Sequence, residues 1–590
     1  MNKTIINNYV YEASKSLRGF VGENPVDIAI KVLILKVLLS DSNFALHTVE
    51  GWKALLSSSP SDVSAATWGI LNDNTAFKKI APETLVKIIA IANEMGINKI
   101  QPQDFSLLTK IQVDNVRRSD CLYYKQGYSE LILAMAEINE QSTVYTTSPA
   151  TLSILGDILP RAKEVSYESF ELSYLAQSFK ELFTDGVVVE FGDVYHNPKF
   201  VQAGKLQKFD TGITLPPFGM QLNGVNEIVK TDHLGRFIFE SRNSESLTIQ
   251  HVMAHCTDMV VATVPLGFLF KTIEQSFRKY LIKNGLLKTI IFLPSDSMAG
   301  TSIPTAILVI DLKGGHDSVR FVDVEMAGFT EKERRAVHLV NVDELVAKIN
   351  SNENFEGIAT ISNAAIMENK FDLTAGHYPL SQADKEFNDF LQSREAIPLN
   401  KIVNFERALP VTVKNSDDDT AIRLWEASSH DLINDYLQQP IRDVMVAGRA
   451  LDEFEDCFLQ PKDILIITKG SNIGRVSFVP DHAPDIGENG WVASQFVTVL
   501  RMKRSSPITA EALFVFLRSE VGQKLLSKFS VGTSVANLPL SSLKNLEVFV
   551  PTEDEQAKAL DIVQQDIAAD KQIQQMIEQK SQRYKSLWSL

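Results

Sequence analysis

The sequence predicts an α/β protein with a helical N-terminal part, a β-rich part further on, and one long C-terminal helix. Three observations carry that expectation. Apolar runs of helical length fill the first 130 or so residues; short β-type runs then alternate with helices to about residue 327; and from Glu553 to about Trp588 there is neither Gly nor Pro. Alternating strands and helices imply a sheet whose ligands sit at the strand C-termini.

In chain order, Val26–Leu38 is apolar enough for a buried helix, and Thr84–Ala92 supplies a second. Residues 186–190, 209–214, 259–264, 289–293 and 306–310 are strand candidates. A helix from about Lys271 to Asn284 is closed by Gly285 as its C-cap. Residues 366–397 form a polar connection with helical stretches. In the region 398–551, Ile464–Ile467 and Phe496–Leu500 are strand-like, and Gly470 and Gly474 mark turns. Ile562, Val563, Ile567, Ile573, Met576 and Ile577 recur at helical spacing, which predicts an amphipathic helix over 552–590 in need of a partner face. The expected divisions are 1–130, 131–365, the linker 366–397, 398–551 and 552–590.

Composition bounds the function. With 590 residues, 44% apolar and 22% charged, the chain has the profile of a multidomain globular protein. Cys121, Cys256 and Cys457 show no CxxC spacing, which excludes a disulfide framework or zinc ribbon and suits a reducing, cytoplasmic setting. The opening Met1-Asn2-Lys3-Thr4 has no secretory apolar stretch, and no run approaches the roughly 20 apolar residues a membrane helix needs. A net charge of −15 argues against non-specific coating of nucleic acid and leaves room for a localised basic face. No GxxxxGK[ST] loop is present, so no motor activity is expected. Glu578-Gln579-Lys580 holds the Glu-x-Lys fragment of many nucleases, but on the long helix and without strand context. His251 and His255 stand four apart near His196, with no HExxH glutamate and no third ligand, so no metal is expected.

The most telling segment is Leu215-Pro216-Pro217-Phe218, which follows the strand candidate Phe209–Thr214. Around it stand Val144–Pro149, Gly192-Asp193, Asn197–Phe200, Val264–Phe270, Arg278–Leu281, Leu293-Pro294 and Gly300–Ala306. As an ordered series these resemble the modification subunit of type I restriction-modification enzymes. The resemblance implies a Rossmann-like methyltransferase domain that binds S-adenosylmethionine. In DNA amino-methylating enzymes the loop begins with Asn, Ser or Asp, and that side chain with the following carbonyl accepts hydrogen bonds from an extruded adenine, on which the aromatic residue stacks. Leu215 has no such acceptor. The resemblance further takes Tyr167, Glu168, Ser169 and Phe170 as the cofactor loop, with no glycine in it. It expects the next strand to be trimmed or missing, and Glu190 is not taken as a replacement for its acid.

A second ordered series covers the C-terminal third: Pro461–Ile466, Gly470, Gly474, Val492–Arg501, Leu513–Ser519, Gly532–Leu538, Leu546–Pro551 and Glu555-Gln556. It resembles half of a type I specificity subunit, a mixed α+β target-recognition domain followed by a spacer helix. DNA contacts are expected from Lys469, Ser471, Asn472, Arg475, Arg501, Lys503, Arg504, Thr533 and Ser534, side chains suited to phosphates and base edges. The acidic runs Asp417–Asp419 and Asp452–Asp456 cannot face phosphate, which confines DNA to one face. The expected protein is a fused modification-plus-specificity chain with a degenerate methyltransferase and no cofactor. Its expected partners are double-stranded DNA, a second copy through the C-terminal helix, and motor, nuclease or methyltransferase subunits of an anti-phage defence complex. Two alternatives stay open, an active S-adenosylmethionine-dependent adenine methyltransferase and a protein-interaction or DNA-mimic subunit.

Overall fold

A nine-stranded sheet organises the first of two compact units, Met1–Gln382; the second is Ala383–Leu590. The computed structural model describes residues 3–20, 24–73, 77–115, 123–125, 127–170, 173–241, 243–333, 336–410, 421–447, 454–470, 472–529 and 538–587. Among them no helix is long and apolar enough to cross a membrane.

In chain order the sheet strands are β1 (Thr143–Thr147), β2 (Glu164–Ser169), β3 (Val187–Phe191), β4 (Phe209–Thr214), β5 (Cys256–Pro265), β6 (Leu287–Leu293), β7 (Thr305–Asp311), β8 (Ser318–Asp323) and β9 (Ile358–Ser362). They lie in the order β9-β8-β6-β7-β5-β4-β1-β2-β3. β3, β2, β1, β4 and β5 run parallel, and β7 is antiparallel to both β5 and β6. The central strands are buried on both faces, hence their continuous Val, Ile and Leu runs. Gly212 in β4 permits close approach of helix Ser244–His255: a Cβ there would stand 2.4 Å from Val252 Cγ1 and 2.7 Å from Cys256 Sγ. Gly285, at φ +60°, ends helix Gln275–Lys283 as the sequence predicts.

The N-terminal helices pack on one face of this sheet and share its core: Ile6, Leu33 and Ile88 belong to the same apolar cluster as Val144, Ile213 and Leu215. Helix Pro25–Leu38 starts at Asn24, whose side chain caps Val26 N, with Pro25 in the first turn. It is apolar on every side, which is the pattern of a buried helix. Its one buried cation, Lys31, lies 2.8 Å from Asp27 Oδ2, while Tyr174 Oη and Gln112 Nε2 donate to Asp27 Oδ1. That ion pair ties three helices together. The other face of the sheet carries helices Ser244–His255 and Gln275–Lys283 over a second cluster that includes Tyr145, Phe209 and Val260.

The second unit holds β10 (Val403–Glu406), β11 (Ala421–Ala427), β12 (Arg442–Ala447), β13 (Ile464–Ile467), β14 (Val476–Phe478), β15 (Trp491–Ala493) and β16 (Val497–Met502). β10-β16-β13-β14 form one sheet and β12-β11-β15 another, and Ala396–Pro398 pairs with Glu547–Phe549. The long helix runs Glu553–Leu587; Ala559 and Val563 are buried in the core that also holds Ala510 and Leu513. Leu560, Ile562, Ile567, Ile573, Met576, Ile577 and Tyr584 along it are exposed.

Candidate functional site

The strand order locates the crevice. From β1 the chain moves outward through β2 to β3, then crosses back to β4 on the other side of β1. The order reverses between β1 and β4, and in open α/β sheets ligands bind outside the strand ends at such a point. The loops flanking it are Ser148–Thr151 after β1 and Leu215–Phe218 after β4. This corrects the sequence reading in two respects. Tyr167, Glu168 and Ser169 lie within β2 and Phe170 just after it, one strand away from the switch point. The strand expected to be trimmed is also present, since both β2 and β3 are formed. The order of strands in space, which no local pattern encodes, decides which loop faces the crevice.

The two flanking loops are stitched to each other. The Ser148 hydroxyl donates to the Leu215 carbonyl, and Thr214 Oγ1 donates to Thr147 O at 3.2 Å. Tyr167 Oη donates to Ser148 O at 3.3 Å, and Thr147 Oγ1 to Glu168 O at 2.8 Å. Ser148 adopts φ +105°, ψ 137°, a conformation that L-residues hold only when their surroundings impose it. Leu215 is 1% exposed and packs in the helix-facing core with Tyr167 and Ile213; Pro216 is buried, and the half-buried Pro217 and Phe218 follow, Phe218 packing against the same cluster. Ser244 Oγ donates to Pro217 O, and Gly219 N to Glu245 Oε1, both at 2.7 Å, which fixes the far end of the loop.

Glu168 points into a buried polar network on the opposite face. Tyr145 Oη donates to its Oε2 at 2.8 Å and Lys199 N to its Oε1 at 2.7 Å. Both oxygens accept, which is a carboxylate's pattern, although burial pushes the carboxyl above its ordinary value. Arg236 can only donate, so His251 Nδ1, 3.1 Å from Nη1, accepts. The His251 proton then sits on Nε2 and is given to Tyr145 Oη at 2.7 Å. The result is one directed chain, Arg236 to His251 to Tyr145 to Glu168. Arg236 is itself paired with Asp232 at 2.8 Å and donates to the carbonyls of Val194 and Tyr195. Burial holds His251 well below an ordinary imidazole, with His255 and Arg236 adding to the effect, and burial places His255 at about 4. Both His251 nitrogens are engaged, one by an arginine, whereas His255 bonds Gln207 O through Nδ1 at 3.0 Å and its buried Nε2 has no partner among the described residues; His196 is exposed and bonded to Asp193 at 2.7 Å. Phe170 is 40% exposed and packs on the Tyr195 ring, centroids 5.3 Å apart.

In the second unit the expected DNA contacts separate. Lys469 and Asn472 are exposed at the turn between β13 and β14, where Gly470 (φ +107°) and Gly474 (φ +80°) shape the backbone. Arg475 is half-buried and gives one fork nitrogen to Ile433 O. Arg501 is bound inward: its Nε and Nη2 hold Asp463 at 2.9 and 2.7 Å, and Nη2 also donates to Phe458 O. That pairing makes Arg501 a strut between β16 and the β13 entry, not a free cation. Lys503 donates to Asn400 O at 2.6 Å, beside the exposed Arg504. Both follow the last residue of β16, whereas the Lys469 turn lies beside its first, roughly 20 Å away at about 3.3 Å per residue. Ser471, Thr533 and Ser534 lie outside the described residues. The sequence reading passed over Gln495 and Phe496, both exposed just ahead of β16, because their neighbours read as strand.

Two family models match the chain: N-6 DNA Methylase over residues 159–387, and Type I restriction modification DNA specificity domain over residues 446–579. Over these segments the chain resembles type I restriction-modification proteins. A methylase-like and a specificity-like segment thus stand in one polypeptide. The methylase subunit of type I restriction enzyme MpnII from Mycoplasma pneumoniae is 30% identical over 151 residues, 25% of this chain and 27% of that protein. The match thus spans little more than a quarter of that relative's length. Among solved structures, the type I methyltransferase subunit from Streptococcus thermophilus aligns with a TM-score of 0.52 and 14% identity, over 64% of this chain and 100% of that one. A type I modification subunit from Vibrio vulnificus aligns at 0.44 and 14%, over 62% and 93%. At such identity the first supports the fold alone, a methyltransferase-type α/β sheet.

Proposed function

We propose that this chain is a DNA-binding subunit of a restriction-type assembly in which the methylase-like unit serves as scaffold and the specificity unit contacts DNA. The observation that carries the reading is the stitched switch point. A crevice for S-adenosylmethionine, the donor this family implies, needs backbone open to close approach. Here Ser148 is bonded to Leu215, and no residue from Ser148 to Thr151 is glycine. The Glu168 carboxylate, at the end of the strand beside β1, is used by Tyr145 and Lys199. The residues present do not fit the donor. Leu215, buried and aliphatic, offers no side-chain acceptor to an adenine amine.

The exposed apolar positions of the helix Glu553–Leu587 support self-association along it, giving two recognition units related by two-fold symmetry in a cytoplasmic complex with motor, nuclease or methyltransferase subunits. A monomer by light scattering at micromolar concentration would remove that part. For the unit as a whole, calorimetry with S-adenosylmethionine, with and without duplex DNA, should show no heat of binding. Labelled methyl transfer from the purified chain to oligonucleotides would establish instead the active methyltransferase. Filter binding across a salt series should show DNA affinity falling as salt rises; binding of protein partners without DNA would favour the interaction-subunit alternative, for which the −15 charge speaks.

A further inference from the structure

We infer that Gln495 and Phe496 form a base-reading tip that addresses an adenine–thymine pair through the major groove; the inference rests on the DNA-binding reading above. The tip is built by the ends of two paired strands. Ile467, the last residue of β13, stands opposite Val497, the first of β16, and Thr468 N continues the ladder to Phe496 O at 2.9 Å. Gln495 and Phe496 are the two turn residues that precede β16, and Lys469 follows Thr468 on the neighbouring segment. On either side of the pair the chain is anchored: Ser494 and Val497 are buried, Ser494 N bonds Ala427 O at 2.9 Å, and Val497 N closes a turn on Ser494 O at 3.0 Å.

Between these anchors Gln495 is exposed and Phe496 is 47% exposed. The neighbouring turn is bonded at its base, Ile467 N to Arg475 O at 3.0 Å and Gly474 N to Ile467 O at 2.9 Å, and Lys469 and Asn472 in it are exposed. A side chain held out by two strand ends reads geometry better than one on a free loop. The chemistry of the pair is selective. A glutamine amide matches the N6 and N7 edge of adenine, and an aromatic side chain makes apolar contact with the thymine C5 methyl. Lys469 supplies a cation for the adjoining phosphate, which positions the tip without reading sequence.

The test uses the full chain. A duplex is selected from a random library, and its affinity is then measured after thymine is replaced by uracil, which removes the C5 methyl, or adenine by 7-deazaadenine, which removes N7. The selected site should contain an A·T pair at which each analogue weakens the wild type about tenfold. Phe496→Ala should then be indifferent to uracil and Gln495→Ala to 7-deazaadenine, with melting temperatures of both variants near the wild type. A selected site without such a pair, or analogue penalties that persist in both variants, would overturn the tip while leaving DNA binding in place. If the wild type selects no sequence and binds no duplex, the DNA reading itself falls, and the tip with it.

Discussion

The switch point of the first unit and the tip of the second treat the same kinds of side chain in opposite ways. Beside β1, Tyr167, Leu215 and Phe218 pack against the core, and the hydroxyls of Thr147, Ser148 and Thr214 are spent on neighbouring carbonyls. Ahead of β16, Phe496 and Gln495 are held in solvent between buried anchors, next to an exposed lysine and asparagine. A site that must admit a ligand keeps polar groups unspent. One whose loops bond to each other leaves fewer groups for a ligand, although Thr146 Oγ1 and Glu245 Oε2 stay buried without a partner among the described residues. By that measure the loops of the first region are the more enclosed and the tip of the second is the more available for contact.

The comparison can be broken most forcefully at Arg236. Arg236→Ala leaves Asp232 buried without its partner and removes donors from two carbonyls and from His251, so a loss on the order of 3–5 kcal/mol is expected in urea unfolding. A loss below about 1 kcal/mol, the scale of a surface pair, would mean that the network is not structural. The next effect is acid sensitivity. His251 and His255 titrate lower in the folded chain than the roughly 6.5 of the unfolded one, so below that pH the unfolded state binds more protons. Stability should therefore fall as pH drops from about 6.5 toward 4, by up to roughly 1.4 kcal/mol per pH unit for each histidine. Glu168 and Glu274, raised by burial, act in the opposite sense and gain stability as pH falls through their raised values. His255→Gln isolates the histidine part: its unfolding free energy should vary less with pH over this window than the wild type's.

Tyr145→Phe sharpens the picture further. It removes the donor to Glu168 and the acceptor of His251, and a cost of about 1–3 kcal/mol is expected for the buried groups left unpaired. Smallest of all should be Lys469→Ala, which touches no core: its stability change should stay within about 0.5 kcal/mol, while DNA affinity falls and the salt dependence becomes shallower. A large loss of stability there would place Lys469 in the framework and erase the contrast between the two regions.

Much of the fold was legible because its signals are local. Pro25 after Asn24, the apolar strands Met259–Val264 and Ala306–Ile310, the C-cap Gly285 and the Gly-free stretch after Glu553 each announce an element within a dozen residues. The lack of a side-chain acceptor at Leu215 was legible too, since an aliphatic side chain accepts no hydrogen bond in any setting. The candidate cofactor loop was not. Tyr167–Phe170 and Ser148–Thr151 both follow a strand, and only the pairing of β1 with β4 on one side and β2 on the other assigns the crevice to the second. The same holds for Arg501, a basic residue in a basic cluster until Asp463 and Phe458 are brought beside it.

What the sequence determined by itself is thus the set of elements, a family resemblance and the missing side-chain acceptor at residue 215, because periodicity, capping and functional groups are properties of neighbours along the chain. What only the tertiary structure decided is which loops meet at the switch point, which charges are spent, and that Gln495 and Phe496 stand together in solvent. Those depend on contacts between residues as much as 106 positions apart, and burial and hydrogen-bond satisfaction are settled only once such residues meet.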